Sequence, residues 1–198
     1  AAAIIESAAR HLSILVEDVF DLSRNSFGEL RLNLCDIDLE DVINEVVSTT
    51  RPAIEQRGQT LECEIEGALP KIQADEARAT QMIMNLINNA SVHNESGVRI
   101  RIHASVSHGH IAVMVEDDGR GLPFNDPEEA FRTFRRGADS ITGDRTGSGI
   151  GLSITKRLIQ LHRGGIEVES GPGAGTKITL WFPLDRDLAL EPDEPGPA

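Results

Sequence analysis

Apolar residues at Ile5, Ala8, Leu12, Leu15, Val19 and Leu22 alternate spacings of three and four, which sets them along one seam of a helix and predicts a bundle or coiled-coil helix over residues 4–23. Asn25 to Gly28 interrupts the pattern. A second helix is predicted after Asp38, a candidate N-cap with Asp41 three positions on, and it runs to about Arg57 and Gly58. LECEIE then alternates Leu61, Cys63 and Ile65 inward with three glutamates outward, the period of a strand with an acidic outer face. Asp75 is the candidate cap of a further helix, whose apolar stripe is Ala79, Met82, Ile83, Leu86, Ile87 and Ala90. VRIRIHASV and HIAVMVED, joined by the tight SHGH turn, predict a β-hairpin.

Residues 124–147 keep no sustained period apart from a helical turn around PEEAFRTF, and predict a mobile loop. IGLSITKRLIQLHR is an amphipathic helix stopped by Gly164 and Gly165. GIEVES and TKITLWFP close the pattern as a hairpin around GPGAG. The tail from Asp185, acidic and rich in proline, reads as disordered.

Composition narrows what these elements can do. With 198 residues and 39% hydrophobic content, the chain supports one core and a small extension. A net charge of −13 repels a phosphate backbone and excludes nucleic acid as a partner, so any phosphate site must be local. Cys35 and Cys63 are too few for a disulfide framework or metal cluster and read as small core fillers in a reducing, cytoplasmic compartment. No apolar run approaches the roughly 20 residues of a membrane helix, and none of the N-terminal residues forms a signal-peptide pattern.

Three stretches carry candidate chemistry. In NLINNA, Asn85 and Asn89 are four apart and share a helical face, opposite Leu86, Ile87 and Ala90. In EDDGRGLP, Asp117 ends a buried strand, where its carboxylate can accept from an exocyclic amine. Gly119 and Gly121 remove side chains that would keep a flat ligand from the backbone. In TGSGIGLSITK, Gly147, Gly149 and Gly151 lead into a helix whose free N–H groups and dipole favour an anion. Each has a plainer alternative when taken singly: a solvated helix face, an Asp-Gly turn, a flexible loop. The glycine spacing fits neither the dinucleotide-binding fingerprint nor the P-loop.

Taken in order, NLINNA, VEDDGRGLP, FRTFRRG and TGSGIGLSITKRLIQLHRGGIEVESGPGAGT resemble the N, G1, F, G2 and G3 boxes of the ATP-binding domain of two-component sensor histidine kinases, over roughly residues 36–183. HLSILVEDVFDLSRNSFGELRL resembles the second helix of that family's dimerisation and phosphotransfer domain with its exit linker. The resemblance implies a two-layer α/β sandwich, the Bergerat-type ATP-binding fold, with a mixed sheet backed by three helices and preceded by a long bundle helix. It divides the chain into a dimerisation helix (1–28), a kinase catalytic domain (29–184) and the tail (185–198). It implies ATP and Mg²⁺ as ligands, a response regulator or phosphotransfer domain as partner, and a homodimer formed through the N-terminal helix of the full-length protein.

The same resemblance assigns roles. Asn85 becomes a ligand of Mg²⁺ bridging the triphosphate, and Asn89 lies near the phosphates. Asp117 takes the adenine amine, with Gly119 and Gly121 under base and lid. Phe131, Phe134 and Arg136 match the F box, Arg136 reaching a terminal phosphate. Gly147, Gly149, Gly151 and Leu152 match the lid-closing G2 box, and Thr176 the threonine beside the adenine. Chaperone, mismatch-repair and topoisomerase ATPases of this fold carry a water-activating glutamate where this chain has Asn85. An amide cannot act as a general base, which favours a kinase over an ATPase.

Departures matter too. Val92 stands where the N box carries a basic residue, leaving Arg145 or Lys156 to compensate, and His93 follows as a packing residue. No H-E-x-x-[TN]-P phosphoacceptor box is present, and His11 reads as structural. The catalytic portion of a histidine kinase, unable to phosphorylate itself, is the leading expectation. A degenerate module that regulates a partner by docking is the alternative, and an anti-sigma-type serine kinase is a weaker third.

Overall fold

A computed structural model describes residues 31–122, 129, 131 and 151–185. The predicted bundle helix, nearly all of the 124–147 loop and the tail beyond Asp185 lie outside the described residues, as do Phe134, Arg136, Gly147 and Gly149. Three helices are described: α1 (Leu39–Gln56), α2 (Glu76–Val92) and α3 (Gly151–Leu161). Seven strands accompany them: β1 (Cys35–Ile37), β2 (Thr60–Ile65), β3 (Ile72–Ala74), β4 (Arg99–Ser107), β5 (His110–Asp117), β6 (Gly165–Ser170) and β7 (Thr176–Pro183).

Five strands form one sheet in the order β2-β4-β5-β7-β6. The β2–β4 pair is parallel and the others antiparallel, so the sheet is mixed. A parallel pair needs a crossover, and β3 with α2 supplies it. One face of the sheet packs on the helices, giving the two-layer α/β sandwich. Leu39, Ile43, Met82, Ile83, Ile100 and Phe182 are fully enclosed between the layers. The opposite face carries charge, with Glu62 near Arg99, Arg101 paired to Glu116 at 3.0 Å and Lys177 to Glu169 at 2.5 Å.

Local chemistry explains the boundaries. Asp38 Oδ1 accepts from Glu40 N at 3.1 Å and Asp75 Oδ1 from Arg78 N at 3.1 Å, so both expected caps satisfy first-turn donors. α1 stops at Gly58, whose φ of +71° a residue with a side chain adopts reluctantly. All six residues of the α2 stripe are buried. The β4–β5 turn places His108 and Gly109 at positive φ, as a two-residue hairpin requires.

Two features differ from the sequence reading. β1 and β3 pair antiparallel, Cys35 opposite Ala74 and Ile37 opposite Ile72; three residues are too short to show a period. Cys35 is consequently exposed, with Sγ 3.7 Å from Ala74 O, and is not a core filler. Cys63, on the edge strand β2, is half-buried against the core, and burial pushes its thiol pKa up. Asn33 N–H donates to Asp75 Oδ2 at 2.8 Å, so the chain is already tied to the α/β core at residue 33.

Candidate nucleotide-binding site

The last residue of β5 is Asp117, on the helix-facing side of the sheet between Ile100 of β4 and Thr176 of β7. It is 5% exposed. Its Oδ1 accepts from Gly119 N at 3.0 Å and from the side-chain Nδ2 of Asn94 at 2.8 Å, and the backbone N–H of Thr176 also bonds the carboxylate. Burial nevertheless dominates and raises its pKa above the ordinary carboxylate value; the three hydrogen bonds pull down, and neighbouring Asp118 pushes up. A partly desolvated carboxylate at the mouth of a sheet, held by three internal donors and still with lone pairs to offer, suits a neutral N–H donor from a ligand.

The loops around it are locked by close backbone packing. A Cβ on Gly121, which has φ +75°, would fall 2.0 Å from Gly171 O. One on Gly119 would fall 2.0 Å from Asn94 Oδ1. Ser170 Oγ accepts from Leu122 N at 2.8 Å and lies 2.8 Å from Gly175 O and 3.1 Å from Thr176 Oγ1, tying the segment after β5 to the β6–β7 turn.

Midway along α2, Asn85 is half-buried. Its Nδ2 points at Gly151 O (3.5 Å) and Thr155 Oγ1 (3.4 Å) in the first turn of α3. That leaves Oδ1 as its available acceptor. Asn89 is half-buried, one turn further along. Leu152 packs against the core, and Lys156 Nζ lies 5.3 Å from the centroid of the buried Phe131 ring, so Lys156 is held by that ring. Val92 and the C-cap residue His93 are half-buried.

The structure therefore brings Asp117, Gly119, Gly121 and Thr176 together at one end of the sheet, and Asn85 against Gly151 at the start of α3. α2 connects the two groups. Asn85 lies seven residues, about 10 Å at helical rise, before the last residue of α2, and Asn94 follows just past its C-cap. The sequence alone does not mark Asn94 or Ser170, because an Asn before Glu-Ser-Gly reads as a turn former and Ser170 as a strand end. Asp118 is exposed, yet its Oδ1 accepts from Arg99 N at 2.7 Å and closes the β4–β5 ladder.

The sequence profile of the histidine kinase-, DNA gyrase B-, and HSP90-like ATPase family matches residues 74–186. The chain belongs to this family. Among its branches it is the ATP-binding catalytic domain of a sensor histidine kinase. This kinase domain is 31% identical over 180 residues to the alginate biosynthesis sensor protein KinB of Pseudomonas aeruginosa, covering 91% of the chain and 30% of the relative. It is 30% identical over 192 residues to the sensor protein DivL of Caulobacter vibrioides, covering 96% and 24%. The chain thus spans under a third of the length of these relatives. Full-length ShkA in complex with AMPPNP superposes with a TM-score of 0.78 at 27% identity, over 91% of this chain and 37% of that one. Acinetobacter baumannii histidine kinase AdeS shares the fold at 22% identity and a TM-score of 0.73, over 92% and 83%. ThkA in complex with the response regulator protein TrrA does so at 21% and 0.72, over 93% and 52%. Among the described residues, no helix is long and apolar enough to cross a membrane.

Proposed function

We propose that this domain binds ATP with Mg²⁺ and donates the γ-phosphoryl group to a histidine of a dimerisation domain, as the catalytic part of a two-component sensor. The observation that carries the reading is Asp117, a buried carboxylate that takes Asn94 and Gly119 donors on Oδ1 and a third from Thr176, and keeps acceptor capacity for a ligand amine. Adenine offers an exocyclic amine to such an acceptor, and guanine offers a carbonyl at the same position.

The phosphate end is consistent with this pose. Asn85 turns its amide nitrogen to α3 and keeps its oxygen, a suitable hard ligand for Mg²⁺. Mg²⁺ is commonly held by few protein ligands together with substrate phosphates and water. Asn89 lies near the phosphates, Thr176 beside the base, and Gly151 and Leu152 at the lid-side start of α3; Arg136, Gly147 and Gly149 take the remaining roles. In the transfer, an imidazole nitrogen bonds to the γ-phosphorus as the bond to the β–γ bridging oxygen breaks, and ADP leaves with that electron pair. Asn85 cannot deprotonate water, so bound ATP is kept for the acceptor.

The acceptor is a histidine outside this chain, since His11 lies in no acceptor motif, and isolated chain does not phosphorylate itself. Residues 1–28 serve as a dimerisation helix, 29–184 as the kinase domain and 185–198 as a tail, with a response regulator or phosphotransfer domain receiving the phosphoryl group. Replacing Leu12 and Leu15 by Asp then yields a monomer with nucleotide affinity intact. Calorimetry with Mg-ATP and Mg-GTP tests the site: binding of ATP with clear preference over GTP is expected, and equal affinity for both rejects the assignment of Asp117. ATP binding without transfer by the full-length protein would favour the docking-module alternative, for which Val92 and the missing acceptor box are the motive.

A further inference from the structure

The side chain of Asn94 is bonded on every side. Its Nδ2 donates to Ala90 O at 2.9 Å and to Asp117 Oδ1 at 2.8 Å, and its Oδ1 accepts from Arg120 N at 3.2 Å. The orientation of the amide is fixed by chemistry: flipped, it would set its oxygen against a carbonyl and a carboxylate, and its donors against an N–H. Ala90 O belongs to the last turn of α2, where carbonyls lack helical partners, so the same amide ends the helix and holds the carboxylate. The residue is itself anchored, because the buried side chain of Gln59 donates to Ser91 O (2.9 Å) and Glu95 O (3.0 Å) on either side of it.

We infer that Asn94 is the positioning residue for base recognition: it pins Oδ1 of Asp117 so that the carboxylate presents its remaining acceptor to the exocyclic amine, and thereby sets the preference for 6-aminopurines. The inference rests on the reading of Asp117 as the base acceptor. Gly119 N also binds Oδ1, a bond local to the loop, and the Thr176 N–H ties the carboxylate to the neighbouring strand β7 of the same sheet. Asn94 instead references Asp117 to α2, the helix that carries Asn85 and Asn89. Base and phosphate ends are then registered against one rigid element.

The test uses the full chain and two nucleotides, ATP and purine riboside triphosphate, which lacks only the exocyclic amine. Wild-type protein should prefer ATP by roughly tenfold or more, the worth of a hydrogen bond to a charged group. Asp117→Asn should abolish that preference. Asn94→Leu should bring the ratio of the two affinities to within about threefold of unity, mainly by weakening ATP. Asn94→Asp retains the size of the side chain and an acceptor for Arg120 N, and serves if Asn94→Leu does not fold; its ratio should fall as well. A merely structural role would weaken both nucleotides alike and leave the ratio at its wild-type value, and that outcome overturns the inference. If Asp117→Asn itself keeps the preference, the reading of Asp117 fails first and takes the inference with it.

Discussion

The backbone N–H of Asp75 donates to Nε2 of His162 at 3.0 Å, joining the start of α2 to the end of α3 across 87 positions of sequence. The Nδ1 of the same ring lies 2.7 Å from Leu158 O and must be the protonated nitrogen, since a carbonyl only accepts. His162 is therefore a neutral imidazole of one tautomer, 3% exposed and edge-on to Phe182.

Replacing His162 by Leu leaves the Asp75 N–H buried without that acceptor. A loss of about 1–3 kcal/mol of stability is expected, read as a lower urea midpoint at unchanged slope. A midpoint within error of wild type would show that water or another group takes over the donor.

Asp117 should trade stability for function. Its pKa is ordinary, near 3.8, in the unfolded chain and raised by burial in the folded one, so the folded state holds the proton more tightly. Stability is then greatest below about pH 4 with respect to this group and declines as pH rises through the raised value. At pH 7 the ionised carboxylate opposes folding, and Asp117→Asn should melt higher than wild type without nucleotide, the gap closing in acid. ATP affinity should meanwhile fall roughly tenfold to hundredfold. Paired melting curves at pH 4 and 7 decide it; a variant less stable at pH 7 than at pH 4, relative to wild type, contradicts the sign.

Much of this architecture was legible in the sequence because periodicity marks elements that bury one face. The α2 stripe, the β4–β5 hairpin and the caps Asp38 and Asp75 all appear where pattern and capping chemistry place them. β1 and β3 were not legible, since three residues show no period and their pairing spans 37 positions; the exposure of Cys35 follows from that miss. At the site, Asp117 stood out by its place between an apolar strand and two glycines. Asn94 did not, because its role depends on a contact with a residue 23 positions away. In the sequence Gly119 and Gly121 read as glycines that give a ligand access, yet in the fold internal contacts already forbid a side chain at both.

Gly121 and Gly173 offer a controlled comparison. Both have φ near +75°, but a Cβ at Gly173 meets nothing within 4 Å, whereas at Gly121 it meets Gly171 O at 2.0 Å. Gly173→Ala should cost only the backbone preference, about 1–2 kcal/mol. Gly121→Ala adds a collision with the β6–β7 turn and should cost clearly more, with loss of ATP binding as Thr176 shifts. Equal costs by chemical denaturation would mean the turn yields freely.

Gly119 is different again, for it does not adopt positive φ and its backbone would accept alanine. What forbids a side chain there is Asn94, whose Oδ1, Cγ and Nδ2 all lie within 2.5 Å of the position a Cβ would take. Gly119→Ala should therefore destabilise by about 2 kcal/mol in the wild-type background, by overpacking, and should reduce ATP affinity by dislodging Asn94 from Asp117. In an Asn94→Ala background the obstacle is gone, and the same substitution should be nearly neutral. The resulting coupling, within the 0.5–3 kcal/mol typical of contacting residues, is measurable by a double-mutant cycle in urea. An additive cycle would return Gly119 to its first reading, as a residue kept small for the ligand and not for its neighbour.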